Sequence, residues 1–134
     1  MEDYRIAQCW NDHKTDLAVA EFEGMGVAVL LGNGDGTFEQ PVVYKVSSAI
    51  AVAAADLSNS GILDLVVASD YPSGSATLFK GNGNGTFQEP QVYPSGQFPF
   101  GIAVADFNGD HLPDITKRCR TSTAAPRMCC STPG

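Results

Sequence analysis

The chain has few basic residues and no long apolar run. Lysine and arginine number 8 against 15 aspartates and glutamates, so the formal net charge is -7. A nucleic-acid partner needs a basic face to meet its phosphates, and this charge balance argues against one. No apolar stretch approaches the roughly 20 residues of a membrane-spanning helix. We therefore expect neither nucleic-acid binding nor a membrane span from this sequence.

Cysteine is also scarce, and catalytic motifs are missing. The four cysteines have no zinc-site spacing, and their pairing cannot be argued from sequence. His13 and His111 have no Ser or Cys nucleophile at a recognisable motif. Residues 1–10 lack the basic start and apolar core of a signal peptide, so nothing in this chain directs secretion. The sequence predicts that the protein is not an enzyme.

One stretch is instead rich in oxygen-bearing side chains at alternate positions. The residues before and after it are small or β-branched, which predicts a strand on each side. Oxygen ligands occupy positions 1, 3, 5 and 9, with a main-chain carbonyl at position 7. They are Asp106, Asn108, Asp110, Asp114 and, through its carbonyl, Leu112. These hard oxygen ligands suit Ca²⁺, which would offset the repulsion among three carboxylates.

A plain turn is the alternative interpretation of this loop. Asp, Asn and Gly favour turns between strands whether or not a metal binds. A helix-flanked EF-hand is not predicted, because His111 stands where that loop has its glycine and position 12 holds no Glu. The pattern therefore predicts a Ca²⁺ loop between two strands, with the plain turn left open.

The acidic pattern recurs 50 residues upstream, with hydroxyls in place of two ligands. The corresponding weaker set is Asp56, Ser58, Ser60, Asp64 and the carbonyl of Ile62. Gly61 stands at position 6, where it eases the backbone of the loop. A still earlier copy that ends at Asp16 has too few side-chain oxygens for a good cation site.

A second landmark, a glycine-rich turn between apolar residues, also recurs. Residues 32–36 and 81–85 contain Asn-Gly or Asp-Gly pairs, which supply the positive φ angles of tight hairpins. A phosphate-binding loop would have to open a helix, and the residues that follow do not favour one. A period near 50 that is composed of short strands predicts β-propeller blades.

These landmarks together resemble the FG-GAP/VCBS-type repeat, which is also the blade unit of the N-terminal propeller of integrin alpha chains. The resemblance covers residues 16–116. It rests on Ala-Asp-x-Asn-x-Asp-x-x-x-Asp at 105–114 and on Leu-Gly-Asn-Gly-Asp-Gly-Thr-Phe at 31–38. It implies four-stranded antiparallel blades, Ca²⁺ in hairpin loops, and adhesion or recognition roles in secreted or surface proteins.

The sequence thus predicts an all-β fold, an incomplete β-propeller of about two four-stranded antiparallel blades plus the start of a third. The expected units are a degenerate start at 1–15, blades at 16–55 and 56–105, the start of a third repeat at 106–116, and a disordered basic tail at 117–134. The expected function is that of a non-catalytic, calcium-stabilised module for binding or adhesion. Two alternatives stay open: an accessory segment of a larger secreted enzyme, for example one that acts on polysaccharide, and a truncated product without a function of its own.

The expected partners are of two kinds. One is a protein or carbohydrate ligand, which the sequence does not identify. The other is further blades, supplied in cis or by self-association, because apolar strands need cover on both faces. A secreted or cell-surface location follows from the resemblance alone.

Overall fold

The computed structural model describes residues 2–7, 13–21, 26–70, 74–94, 99–119 and 127–130, which form β-strands joined by loops and contain no helix. The strands are β1 (Glu2–Ala7), β2 (Asp16–Glu21), β3 (Gly26–Leu30), β4 (Val42–Lys45), β5 (Ala49–Ala55), β6 (Asp64–Ser69), β7 (Ser75–Phe79), β8 (Gln91–Pro94), β9 (Pro99–Ala105), β10 (Asp114–Cys119) and β11 (Arg127–Cys130). The predicted all-β fold is confirmed. No long apolar helix of the kind that crosses a bilayer occurs in these residues.

Antiparallel pairing groups the strands into three sheets in chain order. β1 to β4 form the first sheet and β5 to β8 the second, each with its strands in the order of the sequence. β9 to β11 form the third sheet, with β10 in the middle. None of the three sheets closes on itself within the described ranges. This architecture confirms the prediction of an incomplete set of propeller blades.

The sheets divide the chain at different residues from the predicted units. β5, which falls at the end of the predicted unit 16–55, pairs with β6, and Ala55 lies opposite Asp64. β9 likewise pairs with β10 and so belongs to the third sheet. The reason is that a short loop makes antiparallel neighbours of the two strands that it joins. Each acidic loop therefore lies within a sheet and not between two sheets.

Both ends of the chain contribute strands. β1 lies in the predicted degenerate start and pairs with β2, which completes a four-stranded first sheet. Within residues 117–134, residues 117–119 form the end of β10 and residues 127–130 form β11, and these two strands pair with each other. β11 escaped prediction because its sequence has neither alternation nor β-branched residues. Residues 8–12, 120–126 and 131–134 lie outside the described ranges.

The second sheet buries apolar side chains on both faces. Every residue of β6 is buried, and successive side chains of a strand point to opposite faces of its sheet. Leu65 and Val67 belong to a core cluster shared with the first sheet. Val66 and Ala68 belong to a second cluster shared with the third sheet. The second sheet therefore lies between the other two.

Three aromatic rings complete the junction of the first and second sheets. Tyr44 of β4 meets Phe79 and Phe87 edge to face, with ring centroids 5.6 and 5.2 Å apart. Each such pair adds about 0.5–1.5 kcal/mol to the burial of its apolar area. Burial also raises the pKa of the Tyr44 hydroxyl. These rings lie beside the second glycine-rich hairpin, so they tie that hairpin to the first sheet.

Candidate functional site

The richest candidate site is the loop of residues 106–114, which joins β9 to β10. Asp106 follows the last residue of β9, and its carboxylate accepts hydrogen bonds from two main-chain N–H groups. Oδ1 accepts from Gly109 at 2.7 Å, and Oδ2 accepts from His111 at 2.9 Å. Gly109 and His111 both have positive φ angles, of 79° and 67°. The loop is thus wrapped around the Asp106 carboxylate.

The next two predicted ligands lie close together on the exposed side of this loop. Asn108 Oδ1 accepts from the N–H of Asp110 at 3.0 Å, and Asp110 Oδ1 accepts from the N–H of Leu112 at 2.9 Å. The amide Nδ2 of Asn108 also donates to Asp110 Oδ2 at 3.1 Å. Side chains that bond the main chain two residues onward are typical of Asx turns. The structure therefore brings Asn108 and Asp110 into direct contact.

Asp114, the last predicted ligand, differs from the others in being buried. It is 8 % exposed, and its Oδ2 accepts from the N–H groups of Phe107 and Asn108 at 3.0 and 3.3 Å. Leu112, whose carbonyl is the predicted fifth ligand, has an exposed side chain. Asp114 thus ties the start of the loop to the start of β10.

The donor chemistry of this loop fits a hard cation, although its acidic side chains are not gathered around one point. All the side-chain ligands are carboxylate or amide oxygens, which Ca²⁺ prefers. A carboxylate offers about four acceptor positions, and Asp106 uses two of them for main-chain N–H groups. Within the described ranges, no three His, Cys, Asp or Glu side chains converge as a metal-binding group. The described loop therefore does not present a preassembled set of three acidic ligands.

The second acidic loop, residues 56–64, has the same backbone design with fewer charges. Asp56 accepts from the N–H groups of Ser60 and Gly61 at 2.9 and 2.7 Å. These hydrogen bonds hold the pKa of Asp56 below its ordinary value, and the bond from Ser60 has the largest effect. The hydroxyl of Ser58 donates to that of Ser60 at 3.1 Å. The two predicted hydroxyl ligands therefore bond to each other, and the Ile62 N–H donates to Ser60 Oγ at 3.2 Å.

Position 6 has a left-handed backbone in all three acidic loops. His13, Gly61 and His111 occupy it, with φ angles of 61°, 81° and 67°. Only glycine takes such angles without a steric cost, so at position 6 the loop of residues 56–64 is the better preorganised, although Asn59 at its position 4 also has a positive φ of 54° where the loop of residues 106–114 has Gly109. The loop that is richest in carboxylates therefore has the less favourable residue at this position.

The aspartate at position 9 has a role that the sequence did not reveal. Asp64 is buried, and it accepts hydrogen bonds from Gly81 N–H at 2.9 Å and from Leu57 N–H at 3.2 Å. Asp16 is also buried, and it accepts from Gly32 N–H at 2.8 Å. Each carboxylate thus links the first residue of the second strand of its sheet to the glycine that opens the hairpin after the third strand. Because Asp16 makes this bond in a loop that is poor in oxygen ligands, the aspartate serves the fold independently of any cation.

The two partner glycines, Gly32 and Gly81, are required by close backbone contact. A Cβ at Gly32 would lie 2.0 Å from the carbonyl oxygen of Thr15, and one at Gly81 would lie 2.2 Å from that of Leu63. No other residue fits at such distances. The sequence signal was available, since each of these glycines follows its aspartate by 16 or 17 residues.

The two glycine-rich hairpins have the same hydrogen bonds. In the first, Asp35 Oδ1 accepts from the N–H and the hydroxyl of Thr37, and in the second Asn84 Oδ1 does the same with Thr86. The hydroxyl of Thr37 also holds the pKa of Asp35 below its ordinary value. Their glycines have positive φ angles, as the turn interpretation predicted. Short strands follow both hairpins, so neither opens a helix as a phosphate loop would.

A cavity of about 500 Å³ adjoins the loop of residues 106–114 at the junction of the second and third sheets. Asn108 and Asp110 lie on one side of it, and Lys80 and Tyr93 lie on the other. The Tyr93 hydroxyl donates to Gln91 Oε1 at 2.8 Å. This volume is in the range of small-ligand sites. The candidate cation loop therefore borders a space that is open to a ligand.

The position 9 aspartate gives a first testable prediction. In Asp64→Asn the amide nitrogen would face an N–H group that now donates to a carboxylate oxygen, so one buried bond is lost. We expect a loss of about 2 kcal/mol in the free energy of unfolding, measured by urea denaturation. Asp35→Asn is the matched control, because Asn84 already makes the same hairpin bonds, and it should change stability by less than about 0.5 kcal/mol. Equal effects of the two substitutions would contradict the assigned role of Asp64.

The Asp56 carboxylate gives a second prediction, on pH dependence. Its pKa is lower in the folded chain than in the unfolded chain, where it takes the ordinary value of about 3.9. The stabilisation is therefore complete above about pH 4 and is lost as the pH falls through the lower, folded pKa. We expect the free energy of unfolding of Asp56→Asn to fall less steeply with acid between about pH 4 and 2.5 than that of the parent. If the free energy of unfolding fell equally steeply with acid in the parent and in Asp56→Asn, the assigned role of Asp56 would be contradicted.

Comparison with known families identifies the repeat. The FG-GAP-like repeat family matches the chain twice, at residues 9–67 and 56–116. These matches contain the loops of residues 56–64 and 106–114 and both glycine-rich hairpins. A comparison with curated proteins and with solved structures found no match. Because the two matches together span most of the sequence, the chain belongs to the FG-GAP-like repeat family.

Proposed function

We propose that this chain is a non-catalytic β-propeller repeat module that Ca²⁺ stabilises and that serves binding or adhesion in a secreted or surface protein. The proposal rests mainly on the oxygen ligands of the loop of residues 106–114. Its side chains Asn108 and Asp110 are exposed, contact each other and both carry oxygen ligands, and the loop borders a cavity at a sheet junction. A cation would supply positive charge there and fix the loop that forms one wall of the cavity.

The distribution of charge favours the loop of residues 106–114 over the loop of residues 56–64. The former offers Asp106, Asn108 and Asp110 besides the buried Asp114. The latter has serines at positions 3 and 5, and hydroxyls are weaker, neutral ligands for a hard cation. The two Ser hydroxyls already bond to each other. We therefore assign the main Ca²⁺ site to residues 106–114 and the weaker one to residues 56–64.

The secreted or surface location is proposed from the FG-GAP-like family match. If the site has the affinity of about 10⁻⁴–10⁻³ M that is typical of extracellular modules, it is filled only where free Ca²⁺ is abundant.

Thermal unfolding with and without Ca²⁺ tests this proposal. At 100 times its dissociation constant a ligand stabilises a protein by about 2.7 kcal/mol, which corresponds to a rise of about 5–10 °C in Tm for a chain of this size. We expect Ca²⁺ to produce such a rise, and Asp110→Ala to abolish most of it. Ser60→Ala should leave most of it intact. Calorimetric titration of the same variants measures the affinities directly.

Asp35→Asn provides the control for nonspecific charge effects in this experiment. It removes one exposed carboxylate outside the acidic loops and leaves the hairpin bonds possible, so the rise in Tm should be unchanged. The proposal fails if the parent does not respond to Ca²⁺. It also fails if Asp110→Ala and Ser60→Ala weaken the response equally.

A further inference from the structure

The second glycine-rich hairpin contains a sequence feature that the first hairpin lacks. Asn84, Gly85 and Thr86 form the one Asn-x-Ser/Thr triplet of the chain, and its middle residue is not proline. The side-chain amide of such an asparagine accepts the sugar in N-linked glycosylation of exported proteins. Asp35 stands at the corresponding position of the first hairpin. The two hairpins therefore differ in the group that accepts a sugar.

The two residues that define this triplet face the solvent. The side chains of Asn84 and Thr86 are exposed, whereas Gly85 between them is buried. A Cβ at Gly85 would lie 2.9 Å from Cδ1 of Leu31, which follows β3 of the first sheet. The middle residue thus lies close to the first sheet, and the residues on either side of it stay accessible.

The side-chain amide of Asn84 is engaged through its oxygen and not through its nitrogen. Its Oδ1 accepts from the N–H of Thr86 at 3.1 Å and from the hydroxyl of Thr86 at 2.6 Å. Among the described residues, Nδ2 of Asn84 donates no hydrogen bond. The amides of the other asparagines that precede a glycine each donate to a neighbouring side chain: Asn33, Asn82 and Asn108.

The turn itself does not require an asparagine at this position. In the first hairpin, Asp35 Oδ1 accepts the same two bonds from Thr37, and a carboxylate has no nitrogen. The bonds that shape the hairpin therefore use only the oxygen that asparagine and aspartate have in common. The nitrogen of Asn84 has no part in the turn and is available to a modifying enzyme.

The surroundings of Asn84 leave room for a sugar chain. Asn84 lies beside an open cavity of about 250 Å³ at the junction of the first and second sheets, which Lys14 and Glu39 also line. It does not line the larger cavity beside residues 106–114. A glycan on Asn84 would therefore leave the candidate cation loop accessible.

We propose that Asn84 is an N-glycosylation site, an inference that rests on the secreted or surface location proposed above. The sugar donor is an oligosaccharide linked to a polyprenyl diphosphate. One bond forms between Nδ2 of Asn84 and the anomeric carbon of the first sugar, and the bond from that carbon to the diphosphate oxygen breaks. The polyprenyl diphosphate leaves with the electron pair of the broken bond, and the amide gives up one proton. Nothing is oxidised or reduced.

Translocation into the endoplasmic reticulum of a eukaryotic cell tests this site. The full chain is expressed in cultured eukaryotic cells behind a cleavable secretion signal, and the translocated protein is recovered from cells and medium. We expect its mass to exceed that of the bare chain by one N-glycan, which peptide N-glycosidase removes. Mass spectrometry of the intact glycopeptide should locate the sugar on Asn84.

Three substitutions keep the hairpin bonds possible and change only the acceptor triplet. Asn84→Asp retains the oxygen of the turn, as Asp35 shows, and should abolish glycosylation. Thr86→Ser retains the triplet and should preserve it. Asp35→Asn creates the same triplet in the first hairpin, because Thr37 is already in place, and should add a second glycan. Circular dichroism of the purified variants checks that each keeps its strand content.

The proposal is overturned if the translocated parent chain has no glycan or if a glycan persists in Asn84→Asp. It is also overturned if Asp35→Asn gains no second glycan, since the same hairpin geometry would then fail to present an acceptor. Because the host cell supplies the export step, these results concern the acceptor site alone. The Ca²⁺ response of the unmodified chain tests the proposed function separately.

Discussion

The buried aspartate at the start of the second strand is the interaction on which each blade of this protein depends. Asp64 joins three separate segments, since its carboxylate accepts from the N–H of Leu57 in the acidic loop and from that of Gly81 at the start of the hairpin. Charge-assisted hydrogen bonds of this kind contribute about 1.5–3 kcal/mol each. They also explain why Gly81 has no side chain, because the chain before the aspartate lies against it. The loop, the strand and the hairpin are therefore positioned as one unit.

This arrangement separates a structural role from a binding role within the same nine residues. The aspartate at position 9 is buried and turned toward main-chain N–H groups. Residues at positions 1, 3 and 5, namely Asp106, Asn108 and Asp110, are exposed to solvent. The anchor persists at Asp16, where the ligand positions have degenerated. The fold of a blade thus uses the aspartate at position 9 whether or not positions 1, 3 and 5 hold good oxygen ligands.

Much of the fold was predictable because each repeat contains short sequence patterns that favour particular local structures. Aliphatic runs ending at an aspartate, and Asn-Gly or Asp-Gly turns, dictate strands and hairpins with little help from tertiary contacts. The grouping of strands was not predictable from the repeat period alone, because a repeat can be divided at any point and only pairing shows that β5 belongs with β6. The Asp64–Gly81 bond was not predicted, although the interval of 16 or 17 residues between aspartate and glycine recurs in the sequence. β11 escaped because its register with β10, and not its own sequence pattern, defines it.

The claim that residues 106–114 form the cation site while Asp114 remains an anchor is tested most directly by nuclear magnetic resonance of the backbone amides during a Ca²⁺ titration. Saturable shifts are expected at Gly109 and His111, whose N–H groups donate to Asp106. Weaker shifts are expected in residues 56–64, and none at the hairpin amides of Thr37 and Thr86. Shifts that grow without saturation across all acidic segments, or that are equally large in the two loops, would contradict it.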